Sequence, residues 1–488
     1  MNKFNQRVSV LAVAATFTIF GLPAVAQQYE AAGILKRAAN NLGASDLNTL
    51  IYSAAGNAWG AGQPYTAGKA LPKQNYRITR TIDYVNTALS DDVTRSRAEP
   101  LGGTGVPITG EQNVIEAVGG NVTWNVVNMN IVPANRFVAD RVPLIWLNPH
   151  GVIKAALKNN ATLTFVTEGK KSLGVVAFTE PGRFTAKAYI NDAAEVERIE
   201  ALVPSPVLGD MPVVTRYSEY RDFGRGVKFP SRIEETTNGQ MTLQLVVTDV
   251  QPNSGKVAIQ VPPAAASFKE NVVSSKLADG VWMLAGGSHN SLAIEMKDHA
   301  VVVEGPLYDA RSQAVIDETK KLIPGKPIRF MLNTHVHFDH SGGAATFAAE
   351  GATIVTHQSN KAYFDRALSA KRTVSPDALA KSKKKAVVRG VGDKFVHTDG
   401  NRSVEMHLIK DSIHNDGLMM VYLPKEKLLI QADMPGPLPA GAKPPAKPSP
   451  LLVNYVQNVD RLKLAVDTVA PIHGATHPFA EIKRSLGN

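Results

Sequence analysis

The run His335-Val336-His337-Phe338-Asp339-His340 constrains this chain more than any other part of its sequence, because it sets four potential metal ligands within six residues. It follows directly on Ile328-Arg329-Phe330-Met331-Leu332-Asn333, an apolar stretch with the length of a buried strand. In extended backbone, residues two apart project to the same side, so His335 and His337 can reach one ion. Asp339 and His340 come where Ser341-Gly342-Gly343 turns the chain towards a helix, which points them at a neighbouring position. That spacing suits two ions sharing one pocket. Imidazole and carboxylate are the ligands zinc accepts where thiolate is absent, and this chain has no cysteine.

Further ligands stand where later strands meet turns. His414 lies in Asp411-Ser412-Ile413-His414-Asn415-Asp416-Gly417, just before an apolar strand expected over 417–423. Asp433 closes Leu428-Leu429-Ile430-Gln431-Ala432, and His473 follows Val469-Ala470-Pro471-Ile472. Only His150 falls in the first 288 residues, and the other eleven histidines lie between His289 and His477. The chemistry is therefore segregated to the C-terminal part.

A chain of 488 residues has room for two or three domains. Lys3 and Arg7 precede an apolar run over 8–22, and Ala24-Val25-Ala26 stands before the polar Gln27. This is the pattern of a secretory signal peptide over 1–26, cleaved after Ala26, which predicts a periplasmic or secreted protein. The run is shorter than the roughly 20 residues a membrane span needs, and no other stretch is long and apolar enough. Without disulfides, an exported chain must draw its stability from its core. A β-rich domain is expected over 28–265. It opens with a helix over 31–42 ended by Gly43, and strands follow over 76–82, 122–127, 162–166, 183–190, 213–220 and 241–250. This succession, an opening helix and then a curved antiparallel sheet, weakly resembles periplasmic lipoprotein-carrier half-barrels. Val261-Pro262-Pro263-Ala264-Ala265-Ala266 reads as a linker, and the boundary falls at 262–275. The second domain, 272–488, alternates strands (281–284, 291–295, 300–304, 328–333, 353–356, 403–409, 417–423, 427–430) with helices (310–322, 343–350), the pattern of a layered α/β fold. Residues 434–450 carry seven prolines and must form an extended loop.

The ordered set of His335, His337, Asp339, His340, His414, Asp433 and His473 resembles the metallo-β-lactamase superfamily across roughly 280–480. The resemblance implies an αββα sandwich preceded by the β-rich domain. It also implies a binuclear zinc hydrolase with two Zn2+ per chain. On that pattern His335, His337 and His414 hold one zinc, Asp339, His340 and His473 hold the other, and Asp433 bridges. The zincs would lower the pKa of a shared water towards neutrality, and Asp339 is the expected catalytic residue that orients it. Two positions depart from the family pattern: Ala432-Asp433 replaces Gly-Asp, and Glu304 stands where an aspartate is commoner, which weakens the expected support behind the ligands. The lack of cysteine excludes the β-lactamases that use a thiolate ligand. Retention of Asp433 favours lactonase, thioesterase or phosphodiesterase relatives over β-lactamases. The leading expectation is hydrolysis of an ester, lactone, thioester or amide of a small molecule. The alternatives are an iron-dependent sulfur dioxygenase of the same fold, a phosphodiesterase or sulfatase, and a non-enzymatic binding protein.

Asn290 and Tyr455 are expected to contact substrate, and His289 to face the site in the same turn as Asn290. His357 is expected to be structural or to support a ligand, and His150 to lie in a loop. His397, His407 and His477 lack ligand spacing. The run Lys381-Ser382-Lys383-Lys384-Lys385 reads as a solvated helix face, so no nucleic acid partner is expected. Lys443 and Lys447 stand in the proline-rich loop, where they could meet a substrate carboxylate.

Overall fold

The computed structural model describes residues 24–98, 110–255 and 257–487. The expected signal peptide lies outside the described residues as far as residue 23. No helix among the described residues is long and apolar enough to cross a membrane.

The first helix, Ala24–Leu42, ends at Gly43, whose φ of 72° lets Ala44 N–H return to the Ala39 carbonyl at 2.8 Å. This is the left-handed helix stop that glycine allows. Among the described residues, thirteen antiparallel strands follow as one sheet, from Thr49–Trp59 to Gln240–Pro252. The first strand sits between Lys73–Asp83 and the last, so the beginning and end of this sheet's chain meet at its middle. Alternate residues Leu50, Tyr52 and Ala54 are buried, as the period of two requires of a strand with one covered face. Leu35, Ala38 and Leu42 of the opening helix pack in the same core, with Val142 and Ile145 of the helix Val138–Trp146 and Val152 and Ile153 of Pro149–Lys158.

The last two helices correct the sequence reading, which had none there. Pro143 interrupts the pattern of the first, and Pro149 occupies the opening position of the second behind an Asn148 cap, where proline starts a helix well. His150 is accordingly a buried helix residue and not a loop one. Its Nε2 lies 2.9 Å from the Leu42 carbonyl and its ring stacks on Phe229.

Two further sheets form the C-terminal part. One has seven strands, from Val273–Ala278 to Val387–Val391, and starts one strand earlier than the sequence suggested. The other has six, from Lys394–Thr398 to His477–Pro478. Val301 and Val303 face Met419, Val421, Leu423 and Ile430 across the space between the sheets. Their neighbours Ala300 and Val302 face outward onto the helices Asp309–Leu322 and Ala344–Glu350. On the far side, Leu418, Met420 and Tyr422 pack under the helix Pro450–Arg461. The order of layers is helix, sheet, sheet, helix: the αββα sandwich, preceded by a β-rich domain. Residues 434–449 form no regular element, and Lys443 and Lys447 are exposed there.

Candidate metal centre

The seven expected ligands converge at one edge of the two facing sheets, where parallel strands end. Ile328–Leu332 runs into His335, Leu428–Gln431 into Asp433, and Thr468–Pro471 into His473. His414 lies in the turn that enters the antiparallel strand Met419–Leu423 at the same edge. Ligands are delivered at this edge because the βα and ββ turns there leave the ordered sheet. Gly342 makes the tight turn after the motif feasible, since a Cβ there would stand 1.8 Å from the Leu307 carbonyl oxygen.

The donors form two groups, His335/His337/His414/Asp433 and His289/Asp339/His340/His473, each with its ligand atoms within 4.8 Å of one another. Asp433 joins them. Its Oδ2 lies 3.1 Å from His335 Nε2, 3.1 Å from His340 Nε2 and 2.9 Å from His414 Nε2, while Oδ1 lies 2.8 Å from His473 Nε2. The glycine usual before this aspartate is not needed: Asp433 itself adopts a left-handed φ of 60°, a conformation aspartate tolerates.

Hydrogen bonds behind the ligands set which ring nitrogens face inward. His337 Nε2–H donates to the Pro64 carbonyl at 3.0 Å, His473 Nδ1–H to the Ser288 carbonyl at 2.8 Å, and His340 Nδ1–H to Glu304 Oε2 at 2.9 Å. Carbonyls and carboxylates only accept. The opposite nitrogen of each ring therefore keeps its lone pair for the cluster. His337 Nδ1 is buried without a partner. His335 Nε2 stands 3.3 Å from His414 Nε2, and His340 Nε2 stands 3.4 Å from His473 Nε2. Lone pairs converging at such distances, with an orphaned buried nitrogen among them, fit divalent ions held between them.

Burial draws the His335 imidazole down to about 3, and lowers His337 well below the ordinary histidine value. Burial also opposes charge on His340, but the surrounding carboxylates of Asp433, Asp339 and Glu304 hold its pKa well above the ordinary value. Positive charge is favoured at that point of the cluster.

Glu304 resolves the doubt raised by its replacement of aspartate. It is fully buried at φ 70°, and its Oε1 accepts the Thr334 N–H at 2.7 Å while Oε2 holds His340. The longer side chain reaches both donors.

The N-terminal domain contributes what the sequence reading left open. The loop between Thr49–Trp59 and Lys73–Asp83 lies across the centre. Gln63 Nε2–H donates to Asp339 Oδ1 at 2.8 Å, and the Pro64 carbonyl accepts from both His337 and Asn415 Nδ2–H. Tyr65 OH donates to the Ser412 carbonyl and Thr66 Oγ1–H to Asp416. The approach is close at Gly62, where φ is 78° and a Cβ would stand 2.2 Å from the Phe338 ring. The only signal in the sequence was the turn-forming run Gly60-Ala61-Gly62-Gln63-Pro64, and backbone acceptors leave no signature in it.

The two expected substrate contacts fare differently: Asn290 lines a cleft beside the centre, whereas Tyr455 does not reach one. Asn290 donates both amide protons, to the Pro471 and Gly474 carbonyls at 3.0 and 2.8 Å, and so fixes the turn that carries His473. Tyr455 is fully buried in the layer under the helix Pro450–Arg461, its ring against Phe479, and is a core residue and not a pocket-lining one. His357 accepts the Ser359 N–H at the start of the helix Gln358–Ser369, a structural role. His397 pairs with His299 away from the cluster, at 2.8 Å. Two clefts are lined by sequence neighbours of the expected ligands, though by none of those ligands themselves. One of 410 Å³ runs between the domains past Gly62, Pro64 and Phe338, and one of 650 Å³ passes Ser288, Asn290 and Gly474.

Residues 284–477 match the family model described as the metallo-beta-lactamase superfamily. A curated relative, the 2,4-dinitroanisole O-demethylase subunit alpha of Nocardioides sp. (strain JS1661), is 25% identical over 185 residues. That match covers 37% of this chain and 51% of the relative, so this chain spans about half the relative's length. Among solved structures, a metallo-beta-lactamase from Pontibacter korlensis aligns at 17% identity and a TM-score of 0.34, covering 44% of this chain and 98% of that one. The metallo-beta-lactamase FIM-1 from Pseudomonas aeruginosa aligns at 16% identity and a TM-score of 0.33, covering 44% and 93% respectively.

Proposed function

Residues 284–477 form a metallo-beta-lactamase superfamily domain, and from that premise we propose that this chain is an exported binuclear zinc hydrolase of a small-molecule ester, lactone, thioester or amide. The observation that carries the reading is Asp433, whose two carboxylate oxygens reach both ligand groups at once. A carboxylate so placed can serve both ligand groups at once, which favours a centre of two ions.

Bound zinc would supply Lewis acidity, activating water and polarising the substrate oxygen. The side chains that would hold it are His335, His337 and His414 on one side and Asp339, His340 and His473 on the other, with Asp433 between. Asp339 is held by Gln63 on Oδ1, which leaves Oδ2 facing the cluster. Its carboxylate can accept a proton there from the attacking water. Burial opposes its ionisation, but the neighbouring His340 holds its pKa well below the ordinary carboxylate range. His335, His337, His340 and His414 are buried, and buried ligands strengthen every charge interaction at the centre. The two clefts offer the substrate two approaches, and the inter-domain one would let the N-terminal loop select among substrates.

The test combines metal analysis with a substrate screen. Purified protein should retain two zinc ions and hydrolyse at least one member of a panel of lactones, thioesters, esters and β-lactams. An activated methyl aryl ether belongs in the panel because of the demethylase relative's name. A single iron per chain would refute the hydrolytic reading, and turnover of phosphodiesters or sulfate esters alone would refute the carbonyl class. Secretion of the mature chain beginning after Ala26 tests export.

A further inference from the structure

We propose that His289 is a direct ligand of the second metal ion, so that this side of the centre is built from three imidazoles and two carboxylates: His289, His340, His473, Asp339 and one oxygen of Asp433. The inference rests on the binuclear reading above and adds to it a ligand outside the seven-residue pattern. His289 precedes the strand Ser291–Glu295, far in sequence from the motif, yet its side chain is buried against the cluster. Its ring centroid stands 4.2 Å from that of His473 and 5.0 Å from that of His340.

Its Nε2 has no hydrogen-bond partner although it is fully buried. A buried imidazole nitrogen without a partner costs free energy, and Asp339 Oδ2 is 3.3 Å away. The separations within this group match a shared ion. Donors about 2.0–2.2 Å from one zinc stand roughly 3.0–3.6 Å apart at octahedral or tetrahedral angles. Here His289 Nε2 to Asp339 Oδ2 is 3.3 Å and His340 Nε2 to His473 Nε2 is 3.4 Å, both inside that range, while His340 Nε2 to Asp339 Oδ2, at 3.8 Å, would have to close by about 0.2 Å.

The turn that carries His289 is held in place from behind. Buried Arg311 donates to the His289 carbonyl at 2.9 Å and to the Leu284 carbonyl at 3.3 Å. Ser288 Oγ lies 2.8 Å from His289 Nδ1, and the Ser288 carbonyl orients His473. Asn290 ties the turn to the segment that bears His473. One turn thus places one imidazole and orients a second, and both belong to one group of donors within 4.8 Å of one another. This side would then offer five protein donors, against the four of His335, His337, His414 and the other Asp433 oxygen.

The experiment is a crystal structure of the full-length protein loaded with zinc, together with metal titrations of wild type, H289F and H289A. The expected result is a His289 Nε2–metal distance of about 2.0–2.1 Å. In both variants the first ion should bind as in wild type, and the second should weaken by more than about 100-fold, beyond the roughly 10- to 100-fold typical of losing an outer partner. Two bound ions with His289 Nε2 more than about 3 Å from either, donating to Asp339, would overturn the proposal. A wild-type protein that binds no second ion would instead overturn the binuclear reading. Should the variants fail to fold, the metal distance in wild type decides alone.

Discussion

Glu304→Gln is the sharpest test of how the ligands are held. In wild type the carboxylate accepts two buried donors, the Thr334 N–H at 2.7 Å and the His340 Nδ1–H at 2.9 Å. Glutamine keeps the volume but has one accepting oxygen. If that oxygen stays on Thr334, the amide NH2 faces the His340 N–H, donor against donor. Relief comes only if His340 moves its proton to Nε2, the nitrogen that faces Asp433 at 3.1 Å, and the lone pair for the ion is lost. Turning the amide round merely transfers the conflict to Thr334. The loss of one charge-assisted bond is worth about 1.5–3 kcal/mol, which at about 1.4 kcal/mol per decade is roughly a 10- to 100-fold weaker second ion. Competition with a chromophoric chelator measures both ions, and only the affinity of the one bound by His340 should fall. If E304Q folds and holds both ions with wild-type affinity, Glu304 does not set the tautomer of His340 and the argument fails.

Gly62→Ala should move the N-terminal loop off the centre, because the left-handed φ and the contact with Phe338 both resist a Cβ. The expected outcome is a folded protein with weakened affinity for the ion held by His337 and reduced kcat, read by chelator competition and activity. Gln63→Ala removes one neutral-to-charged bond to Asp339 and should lower kcat while leaving both ions bound; unchanged turnover on the substrate found in the screen would sink the idea that Gln63 positions Asp339. His150 gives a pH dependence to the N-terminal domain. Burial holds its folded pKa at about 4, against about 6.5 in an unfolded chain, so between those values the unfolded state binds more protons. Its contribution is complete above pH ~6.5 and is lost as pH falls towards 4, at most roughly 3 kcal/mol. Urea unfolding should show a shallower acid slope in H150Q than in wild type.

The motif and its partners were legible because each ligand ends or begins an apolar run, and the strand period fixes which way consecutive side chains point. The sandwich was legible for the same reason: Val301 and Val303 alternate with Ala300 and Val302, and the two sets divide between the inner core and the helix layer. The packing of Asn290 and Tyr455 was not legible, because their neighbourhood in sequence says nothing of what a turn or a helix packs against. Asn290 spends its amide on the Pro471 and Gly474 carbonyls, and Tyr455 lies on the inner stripe of a helix opened by Pro450, where the sequence suggested only the end of a proline-rich loop. Gln63 and Pro64 were invisible for a different reason. They act across 273 and more positions of sequence, one through a backbone carbonyl that any residue would supply.

That carbonyl links domain packing to metal binding. Pro64 accepts from His337, a proposed ligand of the first ion, and from Asn415, the residue after the proposed ligand His414. Phe338 N–H donates to the Gly62 carbonyl and Asp416 N–H to that of Tyr65, so the loop is bonded to both ligand-bearing turns through backbone groups that most substitutions leave in place. Two equilibria that share these bonds are thermodynamically coupled, and the coupling is reciprocal. Ion binding selects the His337 tautomer that donates to Pro64, and so favours the docked loop. The docked loop in turn keeps His337 Nδ1 unprotonated and facing the cluster. Removal of the ions should therefore loosen the loop as well as empty the centre, with faster amide exchange at Phe338 and Asp416 in chelator-treated protein than in loaded protein. Equal exchange in the two states would mean that the N-terminal domain holds its place independently of the metal, and that its loop shapes the substrate's approach without helping to assemble the site.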